Sequence, residues 1–124
     1  MAAKILIVED EQAIAENLQA LLSAKGYQVV LAEDGAEGLA KARHDKPDLM
    51  LLDIMLPKMG GFDVCKMIKS DPTMKKTKII MITGLGRMGD VETAFQNGAD
   101  DYIIKPFETQ RLFKKLEKAL LPGP

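Results

Sequence analysis

The sequence predicts an α/β domain: an open, doubly wound sheet of five parallel strands with helices on both faces. Three observations predict it. Five short apolar runs, rich in β-branched residues, alternate with stretches of helical periodicity from one end of the chain to the other. Each run is continuous rather than alternating, which is the pattern of a strand covered on both faces. The chain has 124 residues, enough for one domain built from repeated strand–helix units.

The elements follow in order. Ile5-Leu6-Ile7-Val8 is the first strand, ending at Glu9-Asp10-Glu11. Ile14, Leu18, Leu21 and Leu22 recur at helical spacing, and Gly26 stops that helix. Val29-Val30-Leu31 is the second strand. Asp34, three residues before Glu37, starts a second helix with a capping-box spacing, and that helix runs to about His44. Leu49 to Leu52 is the third apolar run, closed by Asp53. Gly60-Gly61 precede a helix with Val64 and Ile68 on one face. Ile79 to Thr83 is the fourth strand. A weaker, glycine-punctuated helix covers about Val91 to Asn97, closed by Gly98. Tyr102-Ile103-Ile104 is the fifth strand, and Leu112, Leu116, Ala119 and Leu120 mark the last helix. Residues 1–121 form the domain, and Pro122-Gly123-Pro124 has the composition of a tail or linker start.

Composition narrows the function classes. Seventeen basic against eighteen acidic residues give a formal charge of −1, so the domain lacks the basic excess that direct nucleic-acid or anionic-membrane binding uses. The one cysteine, Cys65, cannot form an internal disulfide or a multi-cysteine zinc site, and it suits a reducing cytoplasm. No apolar run approaches the roughly 18 residues of a membrane span.

Parallel strands joined by right-handed crossovers put all their C-terminal ends on one edge, where such sheets bind ligands. Glu9 and Asp10 collect there from the first strand, Asp53 from the third, Thr83 from the fourth and Lys105 from just past the fifth. Two carboxylates about 5 Å apart repel by roughly 3 kcal/mol at an effective dielectric near 20. Three carboxylates therefore call for protonation or a cation, and hard oxygen donors suit Mg²⁺, with Mn²⁺ as its substitute. Mg²⁺ bound by few carboxylates completes its shell with phosphate oxygens. A phosphoryl group at this edge would meet the metal, the Lys105 ammonium and the Thr83 hydroxyl, with Asp53 as in-line nucleophile. The chemistry indicated is aspartyl phosphorylation.

Ile-Val-Glu-Asp-Glu at 7–11, Leu-Leu-Asp-Ile-Met-Leu-Pro-Lys-Met-Gly-Gly at 51–61, Ile-Thr-Gly at 82–84 and Gly-Ala-Asp-Asp-Tyr-Ile-Ile-Lys-Pro-Phe at 98–107 resemble the receiver domains of response regulators across nearly the whole chain. The resemblance implies a flavodoxin-like (βα)5 fold with strand order 2-1-3-4-5. It implies that Asp53 takes a phosphoryl group from the phosphohistidine of a sensor histidine kinase or phosphotransfer protein, or from a small phosphodonor. It also implies that Glu9, Asp10, Asp53 and the backbone carbonyl of Met55 surround Mg²⁺, that Thr83 and Lys105 bind phosphoryl oxygens, and that Tyr102 changes rotamer on activation. The Lys105–Pro106 peptide is cis in such domains. The domain is then a cytoplasmic signalling switch without independent substrate turnover, acting on a downstream target through the surface from the fourth helix to the last. Two positions depart from the pattern: Gly84 replaces the usual alanine, with Gly86 and Gly89 close behind, and Glu108 replaces the usual aspartate cap of the last helix.

Several residues carry plainer readings. Taken singly, Glu9 and Asp10 could be acids at a helix start, and Tyr102 is as much an ordinary half-buried strand tyrosine as a switch. His44 reads as a surface residue, Cys65 as a small core or boundary residue, and Lys66, Lys69, Lys75, Lys76 and Lys78 as a solvated face. The eight methionines read mostly as core filler, with Met55, Met59 and Met88 set apart as loop residues beside the site. A haloacid-dehalogenase-like phosphatase would want a second acid where Met55 stands. A flavin or nucleotide binder would meet repulsion at Glu9-Asp10-Glu11, whereas a receiver-like module without phosphate chemistry has no reason to keep all five site residues. Met55 and Leu85, each two residues beyond a site residue, are apolar and should screen the phosphoryl group from water and lengthen its life.

Overall fold

The computed structural model describes residues 2–84 and 88–121. Its elements are β1 (Lys4–Val8), α1 (Gln12–Ala24), β2 (Gln28–Ala32), α2 (Gly35–Asp45), β3 (Leu49–Asp53), α3 (Gly61–Ser70), β4 (Lys78–Gly84), α4 (Met88–Gln96), β5 (Asp101–Lys105) and α5 (Thr109–Leu120). All four strand pairings are parallel, in the order β2-β1-β3-β4-β5. The order in which strands are added reverses between β1 and β3, so the C-terminal ends of these parallel neighbours flank the switch point where a ligand crevice opens.

Strand periodicity divides the core into two layers. Leu6, Val8, Met50, Leu52, Ile79 and Met81 face α2, α3 and α4, where they meet Leu39, Val64, Ile68 and Ala94. Ile5, Ile7, Leu49, Leu51, Ile80 and Ile82 face α1 and α5, against Leu18, Leu22, Leu112 and Leu116. Every residue of β3 is buried, which is why that run carries no polar residue before Asp53. Burying each such side chain contributes about 1.5–3 kcal/mol, so the central strands form the rigid part of the molecule.

The ends of the helices follow local chemistry. Asp34 Oδ1 accepts a hydrogen bond from the Glu37 amide at 2.8 Å, while Glu37 Oε1 accepts from the Glu33 amide, one residue outside the expected capping box. Gly26, at φ +97°, closes α1 in the left-handed region that a side chain rarely adopts. Glu108 caps α5 without a side-chain hydrogen bond, consistent with glutamate being a poor cap.

Three expectations need correction. The fourth helix begins at Met88 rather than near Val91, so Met88 opens a helix instead of lying in a loop. Lys105 is the last residue of β5 rather than just past it. Lys69 is not part of a solvated face: its ammonium pairs with Asp100 Oδ2 at 2.8 Å and donates to the Thr77 carbonyl at 2.7 Å. Asp100 in turn accepts from the Ile79 amide, joining the end of α3 to the start of β4 and the turn before β5. His44 is exposed, and Cys65 is buried, where burial pushes its thiol up to about 11 and leaves it unreactive. Leu85, Gly86 and the tail 122–124 lie outside the described residues.

Asp100→Ala strands the Lys69 ammonium and one strand amide. The pair is only half-buried, so the loss falls below the about 3–5 kcal/mol of a buried pair broken from one side; with the Thr77 carbonyl still accepting from Lys69, a loss of about 1–2 kcal/mol is expected in urea unfolding. A loss below about 0.5 kcal/mol would mark the pair as an ordinary surface contact.

Candidate functional site

β1 and β3 are hydrogen-bonded neighbours, with Val8 opposite Leu52. The residues that follow this pair, Glu9 and Asp53, therefore emerge side by side at the sheet's edge. Carboxylate oxygens of Glu9, Asp10 and Asp53 lie within 4.8 Å of one another. Glu9 and Asp53 are buried at 2% and 5% exposure, whereas Asp10 is exposed. Burying like charges is stable only with compensation, and the compensation is visible. Lys105 Nζ reaches Asp53 Oδ2 at 2.8 Å and Glu9 Oε1 at 3.3 Å. The remaining oxygens are held by the backbone: Met55 N–H donates to Asp53 Oδ1 at 3.0 Å, and Glu11 N–H to Glu9 Oε2 at 3.2 Å.

The balance is incomplete for Glu9. Burial pushes its carboxyl up to about 7; the Glu11 amide and Lys105 oppose this, and the charge of Asp53 adds to it. Burial also pulls the Lys105 ammonium down, but its hydrogen bond to Asp53 and the charges of Asp53 and Glu9 outweigh that and raise it above the ordinary lysine range. The ammonium is thus a fixed positive charge between two acids.

Thr83 follows Ile82, the register partner of Asp53. It is 2% exposed, and its Oγ1 has no hydrogen-bond partner among the described residues. An unsatisfied buried hydroxyl costs about 1–3 kcal/mol. A cleft of about 310 Å³ opens beside these groups, lined by Asp10, Asp53, Met55, Gly84, Asp90 and Lys105 among others. Met55 stands at its rim, 63% exposed.

Tyr102 lies elsewhere. It sits on β5 opposite Met81, half-buried, with its ring edge-to-face against Phe95 at 5.8 Å and the Lys115 ammonium 5.0 Å from its centroid. Lys115 also pairs with Asp101 at 3.0 Å. Strand alternation puts Tyr102 on the same sheet face as Thr83, next to α4. The Lys105–Pro106 peptide is cis.

The structure thus brings Glu9, Asp10, Asp53 and Lys105 together, with Thr83 one strand away and Tyr102 outside the cluster. Sequence reasoning assigned Met55 through its carbonyl and missed its N–H, which holds Asp53. Asp90 in the cleft lining was also missed, because the early start of α4 that brings it there is hidden by the surrounding glycines.

A fold of this order with an acid cluster at its switch point and a lysine reaching into it defines a class of phosphate-handling signalling domains. Comparison with known proteins makes the class specific: the response regulator receiver domain model matches residues 5–117, and the chain belongs to that family. Among curated relatives, response regulator PleD of Caulobacter vibrioides is 41% identical over 116 residues, covering 94% of this chain and 26% of PleD. The alkaline phosphatase synthesis transcriptional regulatory protein PhoP of Bacillus subtilis is 42% identical over 121 residues, covering 98% of this chain and 49% of that protein. The chain thus spans a quarter to a half of these relatives. Among solved structures, a putative response regulator from Chloroflexus aurantiacus superposes with a TM-score of 0.93 at 34% identity, covering 97% of this chain and 98% of that one. Chemotaxis response regulator CheY4 of Vibrio cholerae gives 0.90 at 32% identity, covering 97% and 100%.

Two substitutions of opposite sign test the charge balance in Mg²⁺-free buffer. Asp10→Asn removes the one carboxylate of the three that Lys105 does not hold, and should stabilise the fold by about 1 kcal/mol. Lys105→Met strips the cation from two buried acids and should cost about 2 kcal/mol. Equal effects of one sign in denaturant unfolding would show that repulsion does not govern the cluster.

Proposed function

We propose that this receiver domain is a phosphorylation switch whose acceptor is Asp53, with Thr83 and Lys105 as the groups that bind the transferred phosphoryl oxygens. The observation that carries the assignment is the buried Thr83 hydroxyl, without a hydrogen-bond partner among the described residues and one strand from a carboxylate already held by Lys105. A hydroxyl left unsatisfied at a cost is complementary to an oxygen that arrives later.

Glu9, Asp10, Asp53 and the Met55 carbonyl would hold Mg²⁺: the three clustered carboxylates are hard oxygen donors, and one of them is poorly compensated without a cation. When bound, Mg²⁺ draws negative charge from the phosphoryl oxygens. The chain's own groups do the rest. Met55 N–H and Lys105 fix the two oxygens of Asp53, which attacks phosphorus as the bond to the donor breaks, from phosphohistidine nitrogen or from the oxygen of a small acyl phosphate. The new acyl phosphate removes one Asp53 oxygen from Lys105's reach as a free carboxylate, and the ammonium then follows the phosphoryl oxygens. Thr83 Oγ1 gains a partner and draws the end of β4 toward the site. Tyr102, beside it on the same sheet face, repacks against α4, and the surface from α4 to α5 changes for a downstream target. The partner upstream is a sensor histidine kinase or phosphotransfer protein. The states differ by how much better the phosphoryl group fits one of them.

Incubation with an acyl phosphate and Mg²⁺ should label the parent on Asp53, while Asp53→Asn and chelator-treated protein stay unlabelled. Equal label in parent and Asp53→Asn would remove the assignment. The Met55 side chain at the cleft rim carries no polar group to hold an attacking water, so the phosphoryl group should be long-lived. Met55→Asn is expected to hasten decay of the labelled protein several-fold; unchanged decay would place the control of lifetime elsewhere.

A further inference from the structure

We propose that the N-terminal edge of α2 is a positioning device for Asp53: Gly35 and Asp34 fix the loop between β3 and α3, and that loop fixes the Asp53 carboxylate through the Met55 amide. The proposal rests on the reading of Asp53 as acceptor.

The loop, residues 54–60, is tied down at each end. At its start Met55 N–H holds Asp53 Oδ1. At its finish Gly61 N–H donates to the Ile54 carbonyl at 3.1 Å, and a Cβ on Gly61 would lie 2.8 Å from Ile54 Cα and closer still to the Asp53 carbonyl. Between these ties the chain turns tightly. Met59 N–H donates to the Pro57 carbonyl at 2.8 Å, and Lys58 adopts φ +67°, a left-handed conformation unusual for a residue with a side chain.

That turn leans on α2. A Cβ on Gly35 would lie 2.7 Å from the Met59 carbonyl carbon and closer to its oxygen. Because the contact is backbone against backbone, no side-chain rotation can relieve it. A methyl at Gly35 must push the Met59 carbonyl away by roughly 1.5 Å to reach van der Waals contact. Asp34 adds a second tie with one carboxylate. Its Oδ1 caps α2 through the Glu37 amide, and its Oδ2 pairs with Lys58 Nζ at 3.5 Å. Position therefore passes from the start of α2 to the 57–59 turn, along the loop to Met55, and so to Asp53. A misplacement near 1 Å at reacting groups can cost about 10²-fold in rate.

The test compares the parent, Gly35→Ala and a control, Gly98→Ala. Gly98 lies at φ +98° before β5, on the opposite edge of the sheet, where a Cβ meets Lys69 Cγ at 2.9 Å. The control therefore loses stability without touching the loop. Two quantities are read: the Mg²⁺ dissociation constant of the unphosphorylated proteins by calorimetry, and the labelling rate against acyl phosphate concentration. Gly35→Ala should weaken Mg²⁺ binding at least fivefold and lower the maximal labelling rate at least tenfold at saturating Mg²⁺. Gly98→Ala should lower Tm yet stay within twofold of the parent in both. Parent-like values for Gly35→Ala, or losses that track Tm in both variants, overturn the proposal. An unlabelled parent would instead overturn the acceptor reading beneath it. If Gly35→Ala does not fold, backbone amide resonances of the parent decide. During Mg²⁺ titration Gly35 and Met59 should shift with the midpoint of Met55, and a Gly35 that stays still while Met55 moves overturns the coupling.

Discussion

Two buried carboxylates share one ammonium, and the remainder of the architecture exists around that arrangement. Glu9 and Asp53 are brought together by adjacent strands, and Lys105 must reach them from β5, with β4 lying between. A lysine stem spans that gap where a shorter side chain could not. The order β2-β1-β3-β4-β5 is what puts all three on one edge. With β1 and β3 apart, the acids would not meet; with β5 at the other edge, they would meet without a cation.

Stability and function occupy different ends of the same strands. The central strands are covered on both faces, and the Lys69–Asp100 pair ties α3, β4 and the turn before β5 at the edge away from the acids. The edge at the strands' C-terminal ends keeps its unresolved terms: crowded acids, a hydroxyl without a partner among the described residues, and a carboxyl that burial has pushed up to about 7. Each term is relieved by a cation or by an anionic group with several oxygens. The cost is carried by the core, and under the proposed function its relief would supply the differential free energy that a two-state switch requires.

Much of this was legible in the sequence, for definite reasons. Strands buried on both faces must be continuous apolar runs, so the five runs marked the sheet, and the polar residues ending the first, third, fourth and fifth marked its edge. The cluster of Glu9, Asp10, Asp53 and Lys105 followed from that. What was not legible depends on contacts rather than composition. Lys69 looks like its lysine neighbours, and only the Asp100 carboxylate opposite it makes it structural. The start of α4 at Met88 is hidden because glycines weaken the helical pattern without preventing the helix. Met55 holds Asp53 by a backbone amide, which no side-chain identity reveals, and Gly35 matters for the atom it lacks.

The central claim is that the edge is built incomplete and that a phosphoryl group completes it. A crystal structure grown with Mg²⁺ and beryllofluoride, a fluoride mimic of a phosphoryl group, tests that most directly. The account predicts beryllium bonded to an Asp53 oxygen, one fluoride accepting from Thr83 Oγ1, and another taken by Lys105 Nζ in place of the free Asp53 carboxylate. An adduct on a different residue, or a Thr83 hydroxyl still without a partner beside a bound fluoride group, would contradict it.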